Sequence, residues 1–469
     1  MEIKKICCIG AGFVGGPTMA VIAKKCPNVK VTVVDINKDR IKAWNGPTDN
    51  LPIHEPGLKE IVNEVRNKNL FFSTEIDKHI DDCDTIFMAV NTPTKKTGKG
   101  KGMATDLTFI EECSVRIAKS SKCPEKLIVE KSTAPIGTAK KIKNTLIKNN
   151  AKTNFSIVSN PEFLAEGTAI KDLLQPDRIL IGGEKSASGE IALSKLVKLY
   201  SSWIPKNKII TTNLWSSELS KLASNAFLAQ RISSINSLSA LCEASGADIQ
   251  EVAKAVGADS RIGEKFLNSS VGFGGSCFKK DLLNLVYLCK HYGIDEVANY
   301  WNQVLKINDY QKKRFANRIE ENLNGSIDKK QVTILGWAFK KNTNDSRESA
   351  SIEVTYYLLK KGALINIYDP LVDSRLILND LERLMHSDEN TENEIKRYLS
   401  RVKIYDEVYK SIQGSYCISI LTEWDEFKGL DWIKISNNLQ KPSLIADGRN
   451  ILDANKMSKY VDKYISIGS

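Results

Sequence analysis

The sequence predicts an α/β protein, two doubly wound domains joined by a long central helix. Three features carry this expectation: a strand, glycine turn, helix and strand in succession at the N-terminus, a second such run after Lys330, and a long stretch between them, Leu214 to Ser245, without glycine or proline. The first run reads as a strand over Ile3 to Ile9, a helix over Phe13 to Lys25 and a strand over Lys30 to Val34, a βαβ unit. Further strands are expected at Thr85 to Val90, Leu127 to Glu130, Ser156 to Ser159 and Arg178 to Gly182, separated by helix-length stretches. Their alternation predicts a parallel sheet ending near residue 210.

From Leu214, apolar residues recur at helical spacing through Trp215, Leu219, Leu222, Ala226, Ile235, Leu238 and Leu241, and Gly246 supplies a stop. Such a helix is about 45 Å long at 1.5 Å per residue. It exceeds the needs of one domain and so joins two domains or pairs with a copy of itself. Asp248 is placed to cap the next helix. The later run, QVTILGWAF, a helix over Ser349 to Lys361, Gly362 and ALINIYDP, roughly repeats between Gly336 and Asp369 the spacing from Gly10 to Asp35. It reads as a second Rossmann-like domain without the glycine triplet. Leu376 to Leu399, charged and weakly periodic, reads as a surface excursion. The expected domains are residues 1–212, 213–329 and 330–469.

A chain of 469 residues, 42% hydrophobic and 26% charged, has too much apolar content for a disordered protein. No run approaches the ~18 apolar residues of a membrane helix, and the N-terminus shows no leader pattern, so a cytoplasmic protein without a membrane partner is expected. Ten cysteines without a C-x-x-C pair and four histidines argue against a metal. The net charge of +11 reflects a lysine-rich surface. The densest basic run, KKTGKGKG, lacks the interleaved aromatics of nucleic-acid platforms, leaving a modest bias toward phosphorylated small molecules.

Gly10, Gly12 and Gly15 form G-x-G-x-x-G between strand and helix, and Asp35 ends the next strand. The glycines allow a tight turn and close approach of a pyrophosphate to a helix N-terminus. Asp35 suits both ribose hydroxyls and repels a 2′-phosphate, which favours NAD over NADP; Arg40 is the one nearby group that could oppose this. In VGFGGSCFKKD, Gly272, Gly274 and Gly275 bring Cys277 to the start of a helix beside Lys279 and Lys280, a setting that activates a thiol. A nicotinamide site and a nucleophilic cysteine together suggest oxidation through a thiohemiacetal to a thioester. Lys221 and Asn225 share a face of the long helix, and NPEFLAEG sets Glu162 and Glu166 at the C-terminal edge of the first sheet. Lys340 and Arg347 follow a strand of the second domain, and Arg449 in DGRN holds a similar edge position.

Taken together, GAGFVG, NTPT, EKST, NPEFLAEG, the Lys221 helix, GFGGSCFKKD, Phe339-Lys340 and DGRN resemble the UDP-glucose 6-dehydrogenase family, its animal-type members above all, in order along essentially the whole chain. The resemblance implies an NAD-binding Rossmann domain, a central helix that builds a dimer, and a C-terminal domain that binds the UDP-sugar. The implied reaction takes UDP-glucose to UDP-glucuronate with two NAD per turnover. The implied nucleophile is Cys277, with Lys221 and Asp281 holding the water and the C6 oxygen, Glu162 serving thioester hydrolysis, and Thr133 joining the catalytic set. The implied NAD contacts are Gly10, Ala11, Gly12, Phe13, Val14, Gly15, Asp35, Arg40, Val90, Asn91, Thr92, Pro93, Thr94, Ser132, Thr133, Glu166 and Arg347. For the UDP-sugar they are Glu162, Phe163, Leu164, Ala165, Glu166, Lys221, Asn225, Phe266, Leu267, Phe273, Gly274, Cys277, Phe339, Lys340 and Arg449, with Arg261 reaching the sugar nucleotide of a neighbouring subunit. Asn268 stands where animal-type members usually carry lysine. The implied assembly is a homo-oligomer, a dimer at least, with a hexamer built as a trimer of dimers the larger alternative. Two other readings stand beside this one: a relative acting on UDP-N-acetyl sugars or GDP-mannose, and a catalytically idle NAD-binding regulator.

Overall fold

The computed structural model describes residues 2–150 and 152–469. These fall into two compact units, one running through Ser224 and taking in Leu283–Leu288, the other comprising Asn225–Leu282 and Cys289–Ser469.

The first unit is built on an eight-stranded sheet. Its strands are β1 (Lys5–Ile9), β2 (Lys30–Val34), β3 (Leu70–Ser73), β4 (Thr85–Met88), β5 (Glu125–Glu130), β6 (Asn154–Ser159), β7 (Ile179–Gly183) and β8 (Ile209–Asn213), in the order β3-β2-β1-β4-β5-β6-β7-β8. Helices cover both faces, so the strands carry nearly continuous apolar runs, as in Val31, Val33 and Val34 or Leu127, Ile128 and Val129. The expected strands are all present, but the sheet differs from expectation in two ways. It gains the edge strand β3, four residues long, and the terminal strand β8, five residues long. It also reverses once: β6 and β7 pair antiparallel through Val158 with Gly183 and Ser159 with Gly182. The only helix linking them, Ala169–Leu174, has six residues and spans about 9 Å, too short to carry the chain back along the sheet for parallel pairing. The 14-residue helix Ala187–Tyr200 restores parallel order between β7 and β8.

The second unit holds a six-stranded, wholly parallel sheet: β9 (Gln331–Leu335), β10 (Leu364–Tyr368), β11 (Val402–Ile404), β12 (Cys417–Ile420), β13 (Leu444–Asp447) and β14 (Lys463–Ser466), in the order β11-β10-β9-β12-β13-β14. The repeat seen in the sequence is real in the backbone. Gly10 after β1 and Gly336 after β9 both adopt left-handed φ, 111° and 97°. A Cβ on Gly10 would lie 2.2 Å from the Ala89 carbonyl oxygen, and one on Gly336 would lie 2.4 Å from Thr422, so both turns require glycine. The surface excursion expected at Leu376 to Leu399 is instead two helices, Ser374–Ser387 and Glu392–Leu399. Ile377, Leu381, Met385, Ile395 and Tyr398 enter the core of this unit, and frequent charges on the outer faces hide that stripe in the sequence.

The long helix spans Leu214–Ser245, as expected, and Gly246 follows it at φ 80°. Leu222, Ala226, Ala229 and Ile235 are buried, whereas Trp215, Leu219, Phe227, Leu238 and Leu241 are exposed in the single chain. Asp248 caps the next helix, Ile249–Gly257, accepting from the N–H groups of Gln250 and Glu251. No helix of the described residues is long and apolar enough to cross a membrane.

Candidate functional site

The glycine turn after β1 opens toward the helix Gly15–Lys25, whose first N–H groups meet no side-chain cap. Gly15 packs helix on strand: a Cβ there would lie 2.0 Å from the Gly10 carbonyl oxygen. A Cβ on Gly12 would meet nothing within 4 Å, so this is the face of the turn open to a pyrophosphate. Asp35, at the end of β2, accepts from the Ala11 N–H and the Asn37 N–H, each at 2.9 Å, and meets the Arg40 guanidinium at 3.4 Å. Arg40 thus serves the acidic residue. The loops after the adjacent strands β4 and β5 are tied together: Thr92 Oγ1 donates to the Thr133 carbonyl at 2.8 Å, and Ser132 Oγ donates to the Val90 carbonyl at 2.7 Å. Gly10 to Gly15, Asp35, Val90 to Thr94, Ser132 and Thr133 therefore lie along one edge of one sheet, where an open α/β sheet binds a dinucleotide.

At the ends of β5 and β6 lies a buried charge cluster. Lys221 Nζ pairs with Glu162 Oε1 at 3.1 Å, and Glu162 Oε2 accepts from the Leu164 N–H at 2.6 Å. Burial alone would push the Glu162 carboxyl up. The Lys221 charge, the Leu164 N–H and the charge of Lys131 more than offset this, so it stays below the ordinary carboxylate value. Phe163 stacks under the Arg178 guanidinium at 3.7 Å from the ring centre and lies 5.4 Å from Lys221 Nζ. Glu166 lies farther along the same loop, and Glu55 anchors that loop by accepting from the N–H groups of Gly167 and Ala169.

Lys131, the lysine of EKST, belongs to this cluster. The β5 and β6 register sets Glu130 opposite Ser159, so the next residues, Lys131 and Asn160, stand side by side. Lys131 is 3% exposed, donates to Asn160 Oδ1 at 3.1 Å and lies 6.0 Å from the Tyr200 ring. Burial pushes its ammonium down to about 8, with Glu162 opposing and Lys221 adding to the fall.

A second missed feature is a pair of buried acids. Glu218, on the long helix, accepts from the Gly137 N–H at 2.6 Å and the Ala139 N–H at 2.7 Å, and so caps the helix Thr138–Asn149 from outside. Burial pushes Glu218 up to about 7, against the pull of those N–H groups. Glu130 is pushed up by burial and by Glu218, and its carboxyl oxygens have no hydrogen-bond partner among the described residues.

The second unit presents its own set. Cys277 sits immediately before the helix Phe278–His291, its carbonyl accepting the Asp281 N–H at 2.9 Å and its Sγ 3.5 Å from Ser276 Oγ. Of the two flanking lysines, Lys279 pairs with Glu348 at 2.8 Å and Lys280 with Asp281 at 2.7 Å. Asp281 is 1% exposed and also accepts from Asn225 Nδ2 at 2.6 Å.

The glycine segment before Cys277 runs along the C-terminal edge of the second sheet. Val271 N–H donates to the Gly448 carbonyl at 2.7 Å and Gly275 N–H to the Arg347 carbonyl at 2.8 Å. A Cβ on Gly274 would lie 2.5 Å from the Glu348 carbonyl oxygen. Arg449 bridges the same edge, donating to the carbonyls of Leu421 at 2.7 Å and Phe339 at 2.9 Å. Phe273 is locked by Asn308, which accepts its N–H at 2.8 Å and donates to its carbonyl at 3.1 Å. Phe273, Gly274, Phe339, Lys340 and Arg449 therefore form one constellation. Phe266, at φ 63°, and buried Leu267 precede it, with Asn268 exposed beside them. Arg347 pairs with Asp345 at 2.6 Å, and Arg261 stands apart, exposed and paired with Asp259 at 2.6 Å. Asp369, the counterpart of Asp35, is absorbed internally: it accepts from the N–H groups of Trp337, Ala338, Leu371 and Val372 and from the Trp424 ring. The second sheet thus keeps the dinucleotide architecture without its ribose-binding carboxylate.

Residues 4–204, 215–310 and 333–454 match, in order, the NAD binding domain, the central domain and the UDP binding domain of the UDP-glucose/GDP-mannose dehydrogenase family. The chain belongs to this family. It is 54% identical to UDP-glucose 6-dehydrogenase 4 of Oryza sativa subsp. japonica, over 99% of this chain and 97% of that protein. It is 55% identical to UDP-glucose 6-dehydrogenase of Gallus gallus, over 96% and 90%. Plant and animal relatives are thus equally similar, a wider likeness than the animal-type motifs suggested. Among solved structures, a UDP-glucose dehydrogenase from Pyrobaculum islandicum superposes with a TM-score of 0.83 at 28% identity, covering 100% of this chain and 98% of its own. Family membership gives the glycine turn with Asp35 its ligand class, NAD, and the open face at Gly12 fits it.

Proposed function

We propose that this protein oxidises UDP-glucose to UDP-glucuronate with two NAD per turnover, through a thiohemiacetal and a thioester on Cys277. The observation that carries the reading is the partly exposed Cys277 at a helix start on the glycine segment, in a chain 54 to 55% identical to UDP-glucose 6-dehydrogenases. NAD, when bound, accepts a hydride from carbon 6 in each of the two oxidations. The chain's own residues do the rest. Lys221 stabilises the oxygen at carbon 6 as it gains charge, and the Glu162 pairing keeps that ammonium oriented. The Cys277 thiolate forms a bond to carbon 6 of the aldehyde, and loss of hydride from that adduct leaves the thioester. Glu162, held as a carboxylate, takes a proton from water as the water oxygen bonds to carbon 6 and the carbon–sulfur bond breaks, returning the thiolate. Asp281, oriented by Asn225 and Lys280, holds the water, and Thr133, pinned to Thr92, borders the coenzyme.

The UDP-sugar is assigned to the Phe273, Gly274, Phe339, Lys340 and Arg449 constellation together with Phe266, Leu267 and Glu162 to Glu166. Arg347 serves the coenzyme. Residues 213–329 form a central segment between an NAD-binding domain, 1–212, and a UDP-sugar domain, 330–469. The enzyme works in the cytoplasm, a setting that suits ten free cysteines. It is at least a dimer through Leu214–Ser245, whose exposed Trp215, Phe227 and Leu241 suit burial against a second copy, with Arg261 contributed across subunits.

The test is Cys277→Ala. Wild type should form two NADH per UDP-sugar with no free aldehyde. The variant should stop at the aldehyde stage with NAD and UDP-sugar affinity retained, because alanine removes the nucleophile and leaves the glycine backbone intact. Full four-electron turnover in the variant, or joint loss of both affinities, refutes the covalent role.

A further inference from the structure

The cluster at the ends of β5 and β6 contains a charge that the chemistry above does not use. Lys131 is buried at the C-terminal edge of the sheet, and a buried ammonium is costly unless something compensates it. Among the described residues it makes no ion pair within 4 Å. Its hydrogen bond goes to a neutral acceptor, Asn160 Oδ1, which also accepts from the Tyr200 hydroxyl at 2.7 Å. Asn160 is fixed in turn by donating from Nδ2 to the Leu180 carbonyl at 2.8 Å. The side chain is therefore held in place by a rigid polar brace, two residues before Glu162 in the adjoining chain segment.

We propose that Lys131 is a positioning residue for the hydrolytic half of the reaction, its buried charge standing behind Glu162 and holding that side chain as the carboxylate that activates water. The proposal rests on the reading of Glu162 as the base. Within this unit the charged and titratable groups bearing on the cluster are Lys221 on the long helix, Lys131 after β5 and Cys8 on β1, with the Tyr200 hydroxyl on the helix Ala187–Tyr200. Lys221 alone does not leave Glu162 free to act, since its ammonium is also engaged by the oxygen at carbon 6. When that oxygen carries charge, Lys221 is shared between two anions and its hold on Glu162 weakens. Lys131, anchored to a neutral amide, is not divided between two anions in this way. The Lys131 charge helps to lower Glu162, and Glu162 in turn raises Lys131 against the larger effect of burial, so the two groups act on each other within the cluster.

The experiment compares the pH profiles of kcat for wild type, Lys131→Met, Lys131→Arg and Glu162→Gln, with single-turnover NADH formation as a second readout. Loss of the Lys131 charge should raise the acid limb of kcat by about one pH unit. Below pH 7 the first-turnover NADH should persist while steady-state turnover falls several-fold, because the thioester forms but hydrolyses slowly. Lys131→Arg, which keeps the charge, should return the limb toward its wild-type position and guards against misfolding as the cause. If Glu162→Gln abolishes the acid limb while Lys131→Met leaves it in place, the proposal fails and the Glu162 reading stands. If Glu162→Gln leaves the limb unchanged, Glu162 is not the base and both fail together.

Discussion

Glu218 offers a measurable link between pH and stability. In the folded chain its carboxyl is raised from the ordinary 4.5 to about 7, chiefly because burial at 3% exposure disfavours the charge. Below pH 4 the group is protonated in both folded and unfolded states and has no effect. Between 4.5 and about 7 the unfolded chain releases the proton while the folded chain keeps it, so stability falls as pH rises. Above 7 both states are ionised and the loss levels off. At 1.36 kcal/mol per pH unit, a window of roughly 2.5 units comes to about 3 kcal/mol. Glu218→Gln removes this dependence. Glutamine keeps one carbonyl oxygen for the two N–H groups of Gly137 and Ala139, so the variant also carries a fixed cost of about 1–2 kcal/mol at every pH. The difference in unfolding free energy between variant and wild type should therefore move by about 2–3 kcal/mol in favour of the variant from pH 5 to pH 8. Urea denaturation of both full-length proteins at the two pH values, followed by tryptophan fluorescence, measures it. A difference that stays constant with pH, or that moves against the variant, refutes a protonated Glu218 in the fold.

Asp35, anchored by the Ala11 N–H, sets a carboxylate where a 2′-phosphate would sit, and kcat/KM should favour NAD over NADP by at least about a hundredfold; comparable values would mean that Arg40 overrides it. If the exposed stripe of the Leu214–Ser245 helix is covered by a second copy, light scattering of wild type at micromolar concentration should give at least twice the 52.2 kDa of one chain. Leu241→Glu should shift the mass toward the monomer, and an unchanged mass in that variant would place the contact elsewhere.

Much of the fold could be read because local signals and global pattern agree. The glycine fingerprint marked the first turn, and the absence of glycine and proline from Leu214 to Ser245 marked the helix to its last residue. The β6 and β7 reversal was not legible, since pairing direction depends on how a connection crosses the sheet and the strand sequences do not record it. The helices of residues 374–399 were hidden by charged outer faces that a strong apolar stripe should have overruled. In the site, Cys277, Lys221, Glu162 and Asp281 stand on motifs with a chemical reason for their residue types. Lys131 carried a readable signal: a lysine directly after Leu-Ile-Val-Glu at the C-terminal end of a strand cannot easily reach water. Glu130 and Glu218 carried none, being 88 residues apart and joined only by the fold.

Glu130, Glu162 and Glu218 show how one environment yields opposite chemistry. All three are buried near the end of the first sheet, and burial pushes each carboxyl upward. Only Glu162 meets cations, and only there does the balance turn toward the ionised form. The long helix makes the division, for Glu218 and Lys221 lie three residues apart on it and so project from the same side. Glu218 is directed to the start of the helix Thr138–Asn149, where N–H groups hold it, and Lys221 is directed to Glu162. A shift of the helix by one residue would rotate both away by about 100° and exchange a cation for a neutral group beside the carboxylate. The buried cap on Glu218 therefore fixes the rotation of the helix that keeps Glu162 a carboxylate, and the stability cost of that raised acid at neutral pH is the counterpart of a correctly placed Lys221.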